Sequence, residues 1–305
     1  MKKILFSILI MIAASASAQT TTIYKTDTIN NVYFGSATDV YGRRIDLYCN
    51  IVQPNNPNPH GVIFVAHGGG EFTGDKGNAG GTAGCWNYQA TRLGLTIIYY
   101  NYRLANPWDF FGPTATIERC NQLMNEQLYR AIQDGFACAR FACNDENKLK
   151  YNINPKYCFF GGISAGALNS LMMVEWQPVE YGSLIDTTKW VNKSNAGVPF
   201  RIAGALSLSG AILSSCEIDP TDVPIMCVQG LLDRTLKVDG GSNHKVKYTG
   251  IYDVVAQSEY YDNPVYTLYF PNAGHTLKGL TPEETKANQT AIKLFFYKYL
   301  KFYLP

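Results

Sequence analysis

Residues Tyr157–Gly166 read YCFFGGISAG, a short apolar run, two glycines, and a serine inside the pattern Gly162-Ile163-Ser164-Ala165-Gly166. A turn this tight strains its serine, and side chains two residues to either side would collide, so the glycines have a mechanical reason. A serine hydroxyl attacks a carbonyl only when an imidazole takes its proton, and the imidazole needs an acid on its other nitrogen. Four histidines make the search short: His60 lies in a Pro/Asn loop, His67 opens a glycine run, His244 sits in a polar stretch, and His275 directly follows an apolar run. His275 is the candidate base and His244 the weaker rival. Asp233, leaving the run that ends in Gly230-Leu231-Leu232, is the candidate acid, with Asp239 the runner-up. Asp219 and Asp222 precede that run and so stand at its wrong end.

The oxyanion of acyl transfer needs donors, and backbone N–H groups serve where no side chain blocks them. His67-Gly68-Gly69-Gly70 follows a buried-looking run. Gly69 and Gly70, with Ala165 from the serine turn, are the expected donors, and Gly68 could replace one of them. His67 reads as a brace for this loop. Each feature has a blander reading alone: a Gly-Ser corner between core elements, a surface histidine, a solvated turn aspartate, a flexible glycine loop. Together they all leave the ends of apolar runs.

Those runs are the elements that must position the site. Val62–Ala66, Thr96–Tyr100, Tyr157–Phe160, Ile202–Leu208, Pro224–Gln229 and Val265–Phe270 are continuous apolar segments, as in strands covered on both faces. Between them, apolar residues at helical spacing (Leu123, Leu128, Ile132, Phe136, Ala139) predict one helix over Glu118–Phe141. Further helices are expected after Ser164, over Trp86–Leu93, within Ser242–Glu259 and over Pro282–Phe302, the last capped by Thr281. Val32–Phe34 and Arg44–Ile51 predict an antiparallel edge, and polar Thr20–Asn31 predicts poor order. Alternating strands and helices imply a mostly parallel central sheet with helices on both faces and loop insertions. Loops from the carboxyl ends of parallel strands converge on one crevice, which brings His275 within reach of Ser164.

The chain has 305 residues at 46% hydrophobic, enough for a large core, and no internal repeat or low-complexity linker, so 19–305 reads as a single α/β domain. A net charge of +2 calls for neither nucleic acid nor an anionic membrane. Lys2 and Lys3, apolar Ile4–Ala13 and the small residues Ala16-Ser17-Ala18 form a signal peptide over 1–18, with Gln19 the mature terminus, export as the expected fate and no stable membrane anchor. Eight cysteines in an exported chain make disulfides plausible: Cys138 and Cys143 could close a local loop, whereas Cys49, Cys158 and Cys227 lie in apolar strands as buried thiols. No C-x-x-C pair occurs and histidine is scarce, so a zinc site has little support.

HGGG at 67–70, NYRL at 101–104, GISAG at 162–166, GLLD at 230–233 and AGH at 273–275 together resemble the α/β-hydrolase superfamily, specifically the carboxylesterase and hormone-sensitive-lipase-like serine esterases. The resemblance spans roughly Val62–His275. It implies the α/β-hydrolase fold, the order Ser164, Asp233, His275, and an esterase with no cofactor. Glu71 departs from the pattern, because an aromatic usually follows the glycines directly; that charge would alter the oxyanion loop or shape polar substrate binding. No family cap is recognisable, and Ala105–Thr116 and Gln177–Pro199 are the expected walls of the site. No amphipathic lid stands out, which favours short-chain or aryl esters over long-chain fat. The export signal and the aromatics Trp86, Trp108, Phe110, Phe111, Trp176 and Trp190 permit a small-molecule or polysaccharide-linked ester. Other classes are a serine peptidase of the same fold and an inactive scaffold used for binding.

Overall fold

The computed structural model describes residues 23–77, 83–175 and 184–300. The apolar runs form the strands β1 (Thr26–Thr38), β2 (Arg44–Pro54), β3 (His60–Ala66), β4 (Thr96–Tyr100), β5 (Ile153–Ile163), β6 (Ile202–Leu208), β8 (Ile225–Gly230) and β11 (Val265–Phe270). These eight join one sheet in the order β1-β2-β4-β3-β5-β6-β8-β11. The first two pairings, β1 with β2 and β2 with β4, are antiparallel; every pairing from β4 onward is parallel. Seven-residue β3 is buried throughout, and its side chains alternate between two cores. Val62, Phe64 and Ala66 enter one cluster, Ile63 and Val65 the other, as a pleated strand of period 2 requires.

Helices α3 (Ile117–Cys143) and α5 (Ala165–Glu175) cover the first face, through Leu128, Ile132, Leu171 and Met172. Helix α6 (Ile251–Tyr260) adds Ile251 and Val254 to the same cluster. Helix α1 (Ala83–Leu93) and the last helix, α7 (Pro282–Tyr299), cover the second, where Phe159 meets Phe296 edge-on with centroids 5.0 Å apart. The two longest helices, α3 and α7, start where a side chain satisfies a free amide. Thr116 accepts from the Arg119 N–H, and Thr281 forms a reciprocal capping box with Glu284. Short helices α2 (Pro107–Phe111) and α4 (Asp145–Lys150) lie in connections expected to be irregular. Among the described residues no helix is long and apolar enough to cross a membrane.

Three expectations are corrected. Thr26–Asn31 is ordered: it belongs to β1, with Thr26 opposite Pro54 and Ile29 opposite Ile51, so backbone pairing supplies what its polar side chains do not. Residues 242–249 are not helical. Strands β9 (Gly241–Asn243) and β10 (Val246–Thr249) form a hairpin whose two loop residues, His244 and Lys245, take φ of 50° and 65°. Positive φ at both positions matches the twist of a tight hairpin. With β7 (Ile212–Leu213) the hairpin makes a second, three-stranded sheet. Finally, all eight cysteines are buried free thiols. Cys138 and Cys143, five positions apart on one continuous helix, project about 140° from each other and cannot meet; Cys143 Sγ lies instead 3.5 Å from Cys158 Sγ of β5.

Candidate active site

Ser164 occupies the corner between β5 and α5 with φ of 55°, a strained value for a residue with a side chain. The corner closes because its flanking positions have no side chains. A Cβ on Gly166 would stand 2.2 Å from the Ala66 carbonyl oxygen, and one on Gly162 would stand 2.3 Å from the Gly166 main chain. The Ser164 N–H donates to the Leu208 carbonyl, 3.0 Å, which fixes the corner against β6.

His275 begins a 3₁₀ turn after β11. Its Nε2 lies 2.8 Å from Ser164 Oγ and its Nδ1 lies 2.7 Å from Asp233 Oδ2. Asp233 Oδ1 also accepts from the Thr235 and Leu236 N–H groups, and Oδ2 from Gln229 Nε2. A carboxyl group surrounded only by donors is an acceptor, so His275 donates from Nδ1 and presents Nε2 to the serine hydroxyl. The loops after β8 and β11 are stitched together: the Leu231 N–H donates to the Phe270 carbonyl and the Leu232 N–H to the Ala273 carbonyl, both at 2.9 Å. The structure thus brings Ser164, His275 and Asp233 into one hydrogen-bonded series. It leaves Asp239 and His60 out of that series, and the His60 ring is tied to Asn58 and Thr96.

Gly68, Gly69, Gly70 and Ala165 line the cavity in front of Ser164. Among the described residues no backbone acceptor takes their N–H groups. Ala165 opens α5, so its amide is one of the unbonded donors of a helix start. Gly69 has φ of 123°, and a Cβ there would fall 1.9 Å from the Thr73 carbonyl oxygen. His67 stacks on Tyr102, centroids 4.4 Å apart, and donates from Nδ1 to the Gly68 carbonyl, 2.8 Å. Burial holds its pKa below the ordinary histidine value, so it braces the loop as a neutral ring.

The cavity measures about 670 Å³. Phe72, Met124, Leu168, Leu213, Val246 and Tyr248 form its apolar walls, with His244 at the hairpin tip. Among the described residues no lysine, arginine or aspartate lines it. The hairpin is held in place by Asn121, which donates to the Lys245 carbonyl and accepts from the Lys247 N–H, and by Lys245 Nζ, which donates to the Ala115 carbonyl. Phe110 and Phe111 back Phe72, and Phe111 also meets the His244 ring at 4.9 Å, so Ala105–Thr116, expected to form a wall, lines none of the cavity and instead stands behind its lining residues. Of Gln177–Pro199, residues 177–183, like Trp176, lie outside the described residues. The described remainder, 184–199, adds nothing to the cavity lining. It packs elsewhere, Ser194 on Ser36 of β1 and Asn192 on Asp134 of α3. Its polar, aromatic character serves that seam.

Sequence reasoning missed the hairpin wall, because it read the segment as helix. It also missed the role of Arg103 in NYRL, which forms a fully buried ion pair with Asp134, 2.9 Å, and donates to the Thr38, Arg130 and Trp190 carbonyls. Gln229, which donates to both Asp233 and the Leu236 carbonyl, was equally unmarked. Only its place at the end of β8, four residues before Asp233, could have drawn notice. Among the described residues no three His, Cys, Asp or Glu side chains are grouped to hold a metal ion.

No protein-family model matches the chain, and no curated protein does. Solved structures do. A truncated form of a carbohydrate esterase from gut microbiota superposes with a TM-score of 0.62 at 15% identity, over 93% of this chain and 99% of that one. The apo form of Thermogutta terrifontis esterase 2 gives 0.57 at 15% identity, over 94% and 98%. The same esterase phosphorylated by paraoxon gives 0.56 at 14% identity, over 91% and 95%. At such identities the likeness concerns the path of the backbone, and with the parallel sheet, its covering helices and the serine corner after β5 it establishes that this chain has the α/β-hydrolase fold.

Proposed function

We propose that the protein is a serine carboxylic-ester hydrolase acting through an acyl-enzyme on short-chain or aryl esters. The observation that carries this reading is the series Ser164 Oγ, His275, Asp233 at 2.8 and 2.7 Å, opening on an apolar cavity beside unbonded loop amides. His275 Nε2 takes the Ser164 proton as Oγ bonds to the ester carbonyl carbon. The Gly69, Gly70 and Ala165 amides hold the oxyanion; each such donor contributes about 3 kcal/mol. The carbon–alkoxy bond breaks as His275 returns the proton to the departing alcohol. Water then adds by the same route, releasing the acid and restoring Ser164. The cavity favours a neutral acyl group, since apolar side chains dominate its walls.

Names among the structural neighbours support the finer reading. One is a carbohydrate esterase, and Thermogutta terrifontis esterase 2 is described with butyrate bound. Acyl groups attached to polysaccharide are therefore proposed as a substrate class, reached after export and removal of the leader at Ala18.

A serine-directed phosphonate should label Ser164 in the folded protein and abolish hydrolysis of p-nitrophenyl butyrate, and Ser164→Ala should lose both. Absence of labelling at Ser164 sinks the mechanism. Hydrolysis of peptide anilides at rates matching the esters would make the protein a peptidase.

A further inference from the structure

Glu71 stands directly after the glycine run, 2% exposed, with φ of 72°. A non-glycine residue in the left-handed region persists only where its surroundings hold it. Its main chain is held by the Ala105 N–H, which donates to the Glu71 carbonyl, 2.8 Å. Its side chain turns inward between α3 and α5. There Gln127 Nε2 donates to Oε2, 3.1 Å, and also to the Arg103 carbonyl, 2.6 Å. Among the described residues Oε1 makes no hydrogen bond of ordinary geometry, and the polar group beside the carboxyl on that side is the Asn169 carboxamide.

Among the described residues no cation touches this carboxyl group. Arg130, the nearest, donates to Gln127 Oε1 at 2.6 Å, so a neutral amide stands between the two. Arg103 spends its charge on Asp134. The titratable and charged groups facing Glu71 are Arg130 on α3, with Arg103, Asp134 and Glu126 beyond it, and Tyr100 and Tyr102 on and after β4. Gln127 and Asn169 complete the shell. Two neutral carboxamides, Gln127 and Asn169, are all that face the carboxyl group directly, so an ionised carboxylate here has amide donors but no charge partner; a proton on Oε1 removes that buried charge and can be donated to the Asn169 carboxamide oxygen.

We propose that Glu71 is the positioning residue of the oxyanion loop: as a neutral carboxylic acid it locks Gly69 and Gly70 in front of Ser164, and when ionised it releases them. This rests on the esterase reading given above. Burial, opposed by Gln127, Asn169 and Arg130, moves its pKa from the ordinary 4.5 up to about 8. The lock therefore holds at neutral pH and opens above it. The linkage has a definite sign. The folded chain keeps a proton that the unfolded chain releases near 4.5, so Glu71 stabilises the fold fully below that value. The contribution falls as pH rises and is gone above about 8.

The test compares wild type, Glu71→Gln and Glu71→Ala from pH 5 to 9.5, reading kcat and KM for p-nitrophenyl butyrate and the melting temperature. Wild-type kcat should fall through a midpoint near 8 at constant KM. Glu71→Gln, neutral at every pH, should stay within about threefold of wild type at pH 7 and lose that fall. Glu71→Ala should lose tenfold or more at every pH. The melting temperature of the wild type should decline between pH 5 and 8, and that of Glu71→Gln should not share the decline. Superimposed pH profiles or superimposed melting curves for wild type and Glu71→Gln overturn the proposal. The melting comparison decides it without substrate, so absence of ester hydrolysis by the wild type at any pH would sink the esterase reading alone.

Discussion

Two buried carboxyl groups flank the serine corner, and they are built in opposite ways. Both carboxyl oxygens of Asp233 are answered: two backbone N–H groups, the Gln229 amide and His275 Nδ1 all point at them. Glu71 sits in a strained loop, with the Gln127 amide on one oxygen and only the Asn169 carboxamide, at no ordinary hydrogen-bond geometry, near the other. Depth is nearly the same, 5% and 2% exposed. What differs is the supply of donors, and that decides whether a buried carboxyl group serves as a fixed acceptor or as a proton-holding brace. The acid loop gains its order from hydrogen bonds between strand ends. Among the described residues no backbone acceptor takes the Gly68–Gly70 amides, so the order of that loop comes from behind.

Isosteric amides separate the two. Asp233→Asn replaces an acceptor by a group that can present a donor to His275, which spoils the tautomer; kcat should drop on the order of 10⁴-fold with KM little changed. Glu71→Gln makes the matching change on the other side and should cost almost nothing at pH 7. A small loss for Asp233→Asn would erase the contrast. Next in size, Gly69→Ala puts a Cβ against the Thr73 carbonyl at a φ that disfavours side chains. It should lower kcat by about 10²–10³-fold, as for loss of one oxyanion donor, and lower the unfolding midpoint as well, because the Cβ has no room. If Gly69→Ala instead lowers the unfolding midpoint with unchanged kcat, the loop is a structural turn.

A third buried carboxyl, Asp134, sharpens the comparison from the stability side. Removing it by Asp134→Ala leaves Arg103 buried without its partner, which should cost about 3–5 kcal/mol in urea unfolding at an unchanged slope. Asp134 makes no contact with Ser164 or His275, so the residual folded enzyme should keep its KM. A change confined to kcat, with stability intact, would move Asp134 into the site.

Much of this was legible in advance, for a local reason. The apolar runs that became β3, β4, β5, β6, β8 and β11, the cap Thr281, the serine corner and the glycine run are each specified by neighbours within a few residues, through period, φ/ψ tolerance and end chemistry. His275 and Asp233 followed from one topological rule, that parallel strands end on the same side. The failures were also local in origin. Ser242–Thr249 has the composition of a weak helix, and only the two left-handed residues at its centre make it a hairpin. Thr26–Asn31 has one apolar side chain, Ile29, and only the free edge of β2 makes it a strand.

The amino-acid sequence by itself determined the succession of strands and helices, the strained serine between glycines, and the order in which Ser164, Asp233 and His275 occur, because each depends on short-range sterics and on chain order alone. Tertiary structure decided which partners the buried polar groups found. Gln127 reaches Glu71 across 56 positions, Asp134 reaches Arg103 across 31, and Cys143 faces Cys158 and not Cys138. Those pairings depend on how helix faces come to rest against the sheet, and the packing of distant side chains leaves no periodic trace in the chain.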